Sequence, residues 1–205
     1  VGGAIGVGIG FGLQNIFSNF VSGIIILVEQ TLKVGDFVDL QSGVVGTVTE
    51  ISMRYTRVTT NDSVDIIVPN SEFINGRVTN WTLDEAVRRI HIPFGVAYGS
   101  DKETVREAGI AAALSIEGTT NSDTRVPDVW LVNFGDSSLN FELVVWVEKK
   151  LMTSPGSTNA RYMWALETEL GKRGLEIPFP QRDLHVRSGQ LNVVLQNEST
   201  SISNK

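Results

Sequence analysis

The run Val1-Gly2-Gly3-Ala4-Ile5-Gly6-Val7-Gly8-Ile9-Gly10-Phe11-Gly12-Leu13 decides how this chain is to be read. Six of its first twelve positions are glycine, and no charged side chain occurs before Glu29. In water each glycine costs a helix roughly 1 kcal/mol relative to alanine. In lipid the backbone must satisfy its own hydrogen bonds, and small residues let helices approach closely. The segment therefore reads as a membrane helix packed against copies of itself or against neighbours.

At about 100° per residue, Val7 and Phe11 fall on one narrow stripe, with Gln14 close beside it. Gly3, Gly6 and Gly10 line one flank of that stripe, and Ala4, Gly8 and Gly12 line the other. Ile5, Ile9 and Leu13 occupy the far side. One smooth face suits a dimer, whereas two smooth flanks suit two neighbours. Repeated about an axis, the helix closes a homo-oligomeric ring with Val7 and Phe11 pointing inward. A ring of apolar side chains around a water path gates by dewetting.

Three other readings compete. A secretory signal peptide needs a positive n-region and a small-residue cleavage site, and neither is visible. A phosphate-binding loop needs the G-x-G-x-x-G spacing after a strand, which the glycines do not supply. A buried helix of a soluble core remains open, because the run to Leu13 is shorter than a span of about 20 residues. The uncharged stretch continues, however, through Gln14-Asn15-Ile16-Phe17-Ser18-Asn19 to a second apolar run, Phe20 to Val28. A break at that polar interruption predicts two half-helices. Gln14 and Asn15 are the kink candidates, since Asn favours local backbone bonding over the helix interior.

Beyond Glu29 the chain becomes mixed and strand-like, so the expectation is a membrane-attached protein with a soluble body. Its 205 residues suffice for one or two domains, and 41% hydrophobic content is ordinary for a globular core. A net charge of −6 argues against a nucleic-acid partner. Cysteine is absent, which removes disulfide and thiol chemistry and fits a cytosolic setting. The chain opens at Val1 inside an apolar segment, and the expectation is a fragment preceded by further membrane helices.

From Lys33 to Leu83 short strands are predicted at Phe37-Leu40, Val44-Ile51, Arg54-Thr60 and Val64-Val68, with Gln41-Ser42-Gly43 and Asn61-Asp62-Ser63 as loops. Such spacing suggests a small barrel or folded sheet. Pro69-Asn70-Ser71 ends the last strand and starts a helical turn. From about Ala86 the pattern is α+β. Arg89 to Phe94 alternates, with Ile90, Ile92 and Phe94 inward. Ser100-Asp101-Lys102-Glu103 reads as a capping box for a helix to about Leu114. Strands follow at Val126-Phe134 and Leu139-Glu148, then a helix from Thr158 to Lys172 ending at Gly174. Asp183-Arg187 reads as a last short strand, and the residues beyond Ser188 as a loose tail. The division is thus 1–31 for a kinked pore-lining helix, 32–84 for a β domain, 85–187 for an α/β domain and 188–205 for a flexible tail.

These residues resemble a known family. Gly12-Leu13-Gln14-x4-Asn19, Val34-Gly35-Asp36-x-Val38 and Gly46-Thr47-Val48 follow one another as in the bacterial mechanosensitive channels of small conductance. So do Val68-Pro69-Asn70, Gly95-Val96-Ala97-Tyr98-x-Ser100-Asp101 and Pro178-x-Pro180-Gln181. The resemblance covers about Gly3 to Val186. It implies a multi-pass homoheptamer of the bacterial inner membrane whose third transmembrane helix lines the pore. It also implies a small all-β (Sm-like) domain and an α+β (ferredoxin-like) domain in the cytoplasm, with a sevenfold β-barrel closing a vestibule. The function implied is opening by membrane tension, with release of ions and small osmolytes in hypo-osmotic stress. The pore constriction would be Val7 and Phe11, the latter where the family commonly has leucine. Asn15 stands where the family kinks at glycine.

Enzymatic readings find little footing. His91 and His185 each stand alone on the polar face of a predicted strand, and no H-E-x-x-H or G-x-S-x-G pattern occurs. Asp62 and Asp65 flank a turn, where Asp is common, rather than forming a metal site. Arg88-Arg89 reads as a solvated strand start, though in a vestibule such charges affect which ions enter. No catalytic residue, metal or cofactor is expected. The partners expected are membrane lipid, further copies of the chain, and permeating ions and osmolytes. Two other classes stay open: a non-conducting, membrane-anchored oligomeric scaffold, and an Sm-like RNA-binding module, against which the acidic balance weighs.

Overall fold

The computed structural model describes residues 2–83, 87–180 and 182. It begins with one helix, α1 (Gly2–Glu29), followed by strands β1 (Phe37–Leu40), β2 (Val45–Ile51), β3 (Tyr55–Thr59) and β4 (Asp65–Pro69). A short helix α2 (Asn70–Asn75) and strand β5 (Val78–Asn80) complete the first domain. The five strands form one antiparallel sheet in the order β4-β3-β2-β1-β5.

Alternation along each strand builds the core. Val38, Val48, Val58 and Val68, one from each of β1 to β4, are almost fully buried together with Leu40. Burying each such side chain is worth about 2 kcal/mol. Ile26 of α1 and Leu32 of the following linker join the same cluster, so the apolar helix is structurally part of this domain. Gly46 of β2 sits where an added Cβ would meet the Thr59 carbonyl of β3, so only glycine lets the strands close there. The linker is fixed by Asp36, which is buried and accepts from Lys33 N, from Asn80 Nδ2 at 2.8 Å and from Thr82 Oγ1 at 3.2 Å. The Val-Gly-Asp motif thus ties the linker that follows α1 to β5, the edge strand beside β1.

The second domain contains β6 (Val87–Val96), α3 (Lys102–Leu114), β7 (Thr119–Thr120), β8 (Asp128–Phe134), β9 (Leu139–Glu148), α4 (Lys149–Met152) and α5 (Pro155–Lys172). β6 and β9 pair antiparallel over ten positions, from Val87↔Glu148 to Val96↔Leu139. The other edge of β9 takes β8 and the two-residue β7. Leu143, Val145 and Val147 of β9 and Ile92 of β6 face the core, where α3 and α5 supply Val105, Ala108, Ala112, Tyr162, Leu166 and Leu170. Tyr162 is fully buried, and its hydroxyl pairs with Thr119 Oγ1 at 2.6 Å.

Several expectations need correction. The capping box at Ser100 does not form: Asp101 is the N-cap of α3 and accepts from the Thr104 N–H, being the residue that leaves the helix with extended backbone. The strand read from Val126 begins only at Asp128, after Pro127, which has no N–H for a ladder. α5 starts at Pro155, in the first turn where proline is tolerated, rather than at Thr158. The sequence reading also lacked β5, β7 and α4. The predicted strand Asp183-Arg187 and the tail lie outside the described residues.

Candidate functional site

The 28 residues of α1 extend about 42 Å at 1.5 Å per residue, against roughly 30 Å for a bilayer's hydrocarbon core. Within it Val7–Glu29 has a mean hydropathy of 1.6, yet only 17% of its most apolar window is buried within the chain. A core helix of a soluble protein would be mostly covered. Low burial within the chain argues against the buried-helix reading, and Ile26, 1% exposed inside the β domain, argues against a cleavable signal peptide.

The two halves of α1 differ. In the first, Val7 and Phe11 are 60% and 72% exposed, and Ile9 and Leu13 on the far side are also bare. Built Cβ atoms at Gly3, Gly8, Gly10 and Gly12 would meet nothing within 4 Å. Ala4 and Gly6 lie in the same helix, but their surroundings fall outside the described residues. Within the described residues, the first half has no contact to explain its small flanks, and its apolar surface is what lipid or other copies must cover.

The second half is docked. Helical hydrogen bonding in α1 runs unbroken across Gln14-Asn15, so the two half-helices expected there are one element. Asn19 Nδ2 donates back to the Asn15 carbonyl at 2.8 Å, and Asn19 Oδ1 accepts from the Ser71 N–H at 2.9 Å. Ser71 opens α2, where first-turn N–H groups lack helical partners. Pro69 in the capping position offers no side-chain acceptor, so a residue of α1 supplies it. One turn further, Gly23 lies so close to the β domain that an added Cβ would overlap the Met53 carbonyl and sit 2.5 Å from Asn70 Nδ2.

Asn70 is the centre of this contact. It is fully buried, donates through Nδ2 to the Ser52 carbonyl at 2.9 Å, and accepts from Thr56 Oγ1 at 2.9 Å. Its own N–H donates to the Arg54 carbonyl. The amide thus locks α2 to β3 and to the turn before it, and α1 packs on the locked corner. Nearby, the Ser52 hydroxyl and then Arg57 hold the Glu50 carboxyl below the usual carboxylate range.

Other residues read from sequence fall elsewhere. His91 does not stand alone: its Nδ1 lies 2.7 Å from Glu142 Oε2, and its ring meets Trp130 edge-on. Cross-strand pairing brings them together, because β6 and β8 flank β9 with these residues on one face. Arg89 is likewise not a bare solvated charge but lies 5.7 Å from the Trp130 ring and 5.6 Å from the Trp146 ring. Arg88 donates to the Leu83 carbonyl, and Asp65 accepts from Thr59 Oγ1. His185 lies outside the described residues. Sequence reasoning missed Asn19 as a cap for α2, Gly23 as a contact point, and Asn70 as a buried hub. Asn19 and Asn70 stood in recognised motifs, but nothing local signals a partner about fifty residues away.

A membrane-length helix, half bare and half built into a β domain that leads to an α/β domain, defines a class of membrane-protein subunit. Residues 15–83 match the family model for the mechanosensitive ion channel β-domain, and residues 90–177 match that for the C-terminal domain of the mechanosensitive ion channel MscS. The chain belongs to the MscS family. An MscS family protein of Haemophilus influenzae is 39% identical over 197 residues, covering 96% of this chain and 16% of the relative. The mechanosensitive channel MscK of Escherichia coli is 42% identical over 146 residues, covering 71% of this chain and 13% of the relative. The chain therefore spans less than a fifth of these two relatives. The closed-state structure of Helicobacter pylori MscS superposes with a TM-score of 0.78 at 25% identity, over 91% of this chain and 72% of that one. The family is one of membrane channels rather than enzymes, and the scaffold and RNA-binding readings are not favoured.

Proposed function

We propose that this chain provides the pore-lining helix and the soluble domains of an ion channel opened by membrane tension, passing ions and small osmolytes under hypo-osmotic stress. The division of α1 carries the reading: a bare apolar half bearing Val7 and Phe11 precedes a half fixed to the β domain through Asn19, Gly23 and Ile26. Seven copies around an axis would pack the Gly3/Gly6/Gly10 flank of one helix against the Ala4/Gly8/Gly12 flank of the next. Val7 and Phe11 would then form two stacked apolar rings. Water in such a neck lacks hydrogen-bond partners, so the neck empties and ions cannot cross. Tension favours the state of larger in-plane area, which tilts the helices and draws the rings outward until the neck wets.

In this reading α1, continuous through Gln14-Asn15 in the single chain, would bend there in the assembly and aim the docked half away from the pore axis. The β domain (32–84, Sm-like) and the α/β domain (85–187, ferredoxin-like) hang in the cytoplasm below a multi-pass assembly in the bacterial inner membrane. Lipid, further copies of the chain and the permeating solutes are its partners, with no nucleic acid and no metal. Family membership and the likeness to closed MscS support this reading. Reconstitution of the full-length protein and suction on excised patches tests it. Stepwise currents that appear with tension are expected; silence up to membrane rupture sinks the channel. Gly8→Leu should break or jam the ring, and an unchanged oligomer with unchanged currents would remove the two-flank packing.

A further inference from the structure

Alternation along β1 sends Val38 and Leu40 into the β-domain core and turns Phe37 and Asp39 toward the second domain. There they line a cleft of about 270 Å³, with Trp81 beside them and Ile92, Val147 and Leu151 opposite. Asp39 is only partly exposed, and no described side chain or backbone N–H is hydrogen-bonded to its carboxylate. His91, which also lines the cleft, is taken up by Glu142. A partly exposed carboxylate beside apolar walls, with no hydrogen-bond or ion-pair partner among the described residues, is free to take a cation. Inorganic cations of the hard type require several oxygen ligands, and the described residues hold no group of three or more acidic or histidine side chains suited to a metal. The half-exposed Trp81 indole beside one carboxylate suits instead a cation that carries its own apolar surface.

We propose that this interdomain cleft binds a small organic ammonium ion, its methyl or methylene groups against Trp81 and Val45 and its charge against Asp39. Pockets of this kind, apolar with one placed polar group, favour domain boundaries. A ligand held by both domains favours one arrangement of the α/β domain relative to the β domain, to which α1 is fixed.

Equilibrium dialysis of radiolabelled choline against the full-length protein in lipid nanodiscs tests the site. Saturable binding of one choline per chain is expected, with 3,3-dimethylbutan-1-ol, its neutral isostere, competing at least about tenfold more weakly. Asp39→Asn, checked for folding by circular dichroism, should weaken binding by at least about tenfold, and Val45→Trp, at an exposed position on the cleft wall, should block it. Absence of saturable binding, equal competition by the neutral isostere, or full affinity in a folded Asp39→Asn protein overturns the proposal. The neutral competitor decides the charge question on the unaltered protein even where a variant fails to fold. No current is recorded, so the result is independent of the channel reading.

Discussion

Asn19 caps a helix to which it does not belong: its Oδ1 accepts the Ser71 N–H at 2.9 Å across 52 positions of sequence. The bond joins the middle of the membrane helix to the first turn of α2. Replacing Asn19 with Leu removes the acceptor and leaves that N–H unpartnered, a loss of about 1 kcal/mol for a helix cap. Hydrogen exchange at Ser71 should accelerate while exchange in the β9 core stays unchanged. In patches, the same variant should alter closing kinetics more than conductance.

Gly23 gives a sign test. Gly→Ala inside a helix ordinarily stabilises by roughly 1 kcal/mol. At Gly23 the added methyl collides with the Met53 carbonyl, so Gly23→Ala should lower the melting temperature instead. Gly12→Ala has no intrachain neighbour to strike and should leave the fold of the single chain intact. Thermal melts of the two variants side by side decide the matter.

Asn70→Ala should be the more damaging change. It strands the Ser52 carbonyl and the Thr56 hydroxyl in a buried corner, at a cost of about 2 kcal/mol or more. Urea unfolding followed by circular dichroism measures it, and a loss under half that value contradicts the hub role of Asn70.

The proposed pore stripe yields a positional contrast. Phe11→Ser, and less strongly Val7→Ser, should open at lower tension and slow growth on expression, because a polar ring hydrates the neck without expansion. Ile9→Ser, on the far side of the helix, should not reproduce the effect. An unchanged threshold in Phe11→Ser, or an equal shift in Ile9→Ser, excludes this gate.

Acid should act on the start of α3. The Thr104 hydroxyl, and then the Thr104 N–H, hold the Asp101 carboxyl below the usual carboxylate range. A depressed folded pKa means stabilisation that is present above the unfolded carboxylate value and lost as pH falls through the folded one. Asp101→Asn keeps an acceptor but no titrating charge, so it should flatten that part of the acid-induced decline. Melting curves across the acidic range, compared between the two proteins, test this.

Much of this architecture was readable from pattern. The strand at Phe37-Leu40 and the ten-residue strand from Leu139 announce themselves by alternation between turn signals, and period-2 patterning is local information. β5 and β7 escaped because two or three residues carry no period; their pairing with Val38-Leu40 and with Trp146-Val147 is imposed from outside. The stripe of Val7 and Phe11 was visible for the same reason the long strands were. The anchoring contact was not, since Asn19, Gly23 and Asn70 acquire their roles only when segments distant in sequence meet. His91 shows the converse: a lone histidine in sequence acquires Glu142 and Trp130 as neighbours only through cross-strand register.

Because α1 is held at Asn19 and Gly23 and bare before them, it behaves mechanically as a cantilever clamped at one end. Phe11 lies eight positions before the clamp at Asn19, a lever arm of about 12 Å at 1.5 Å per residue. A rotation of about 10° at the clamp would carry Phe11 sideways by roughly 2 Å without any bond within the helix being broken. In the proposed channel, stiffness at the Gly23–Asn70 corner would add to the effort that displacing the rings takes.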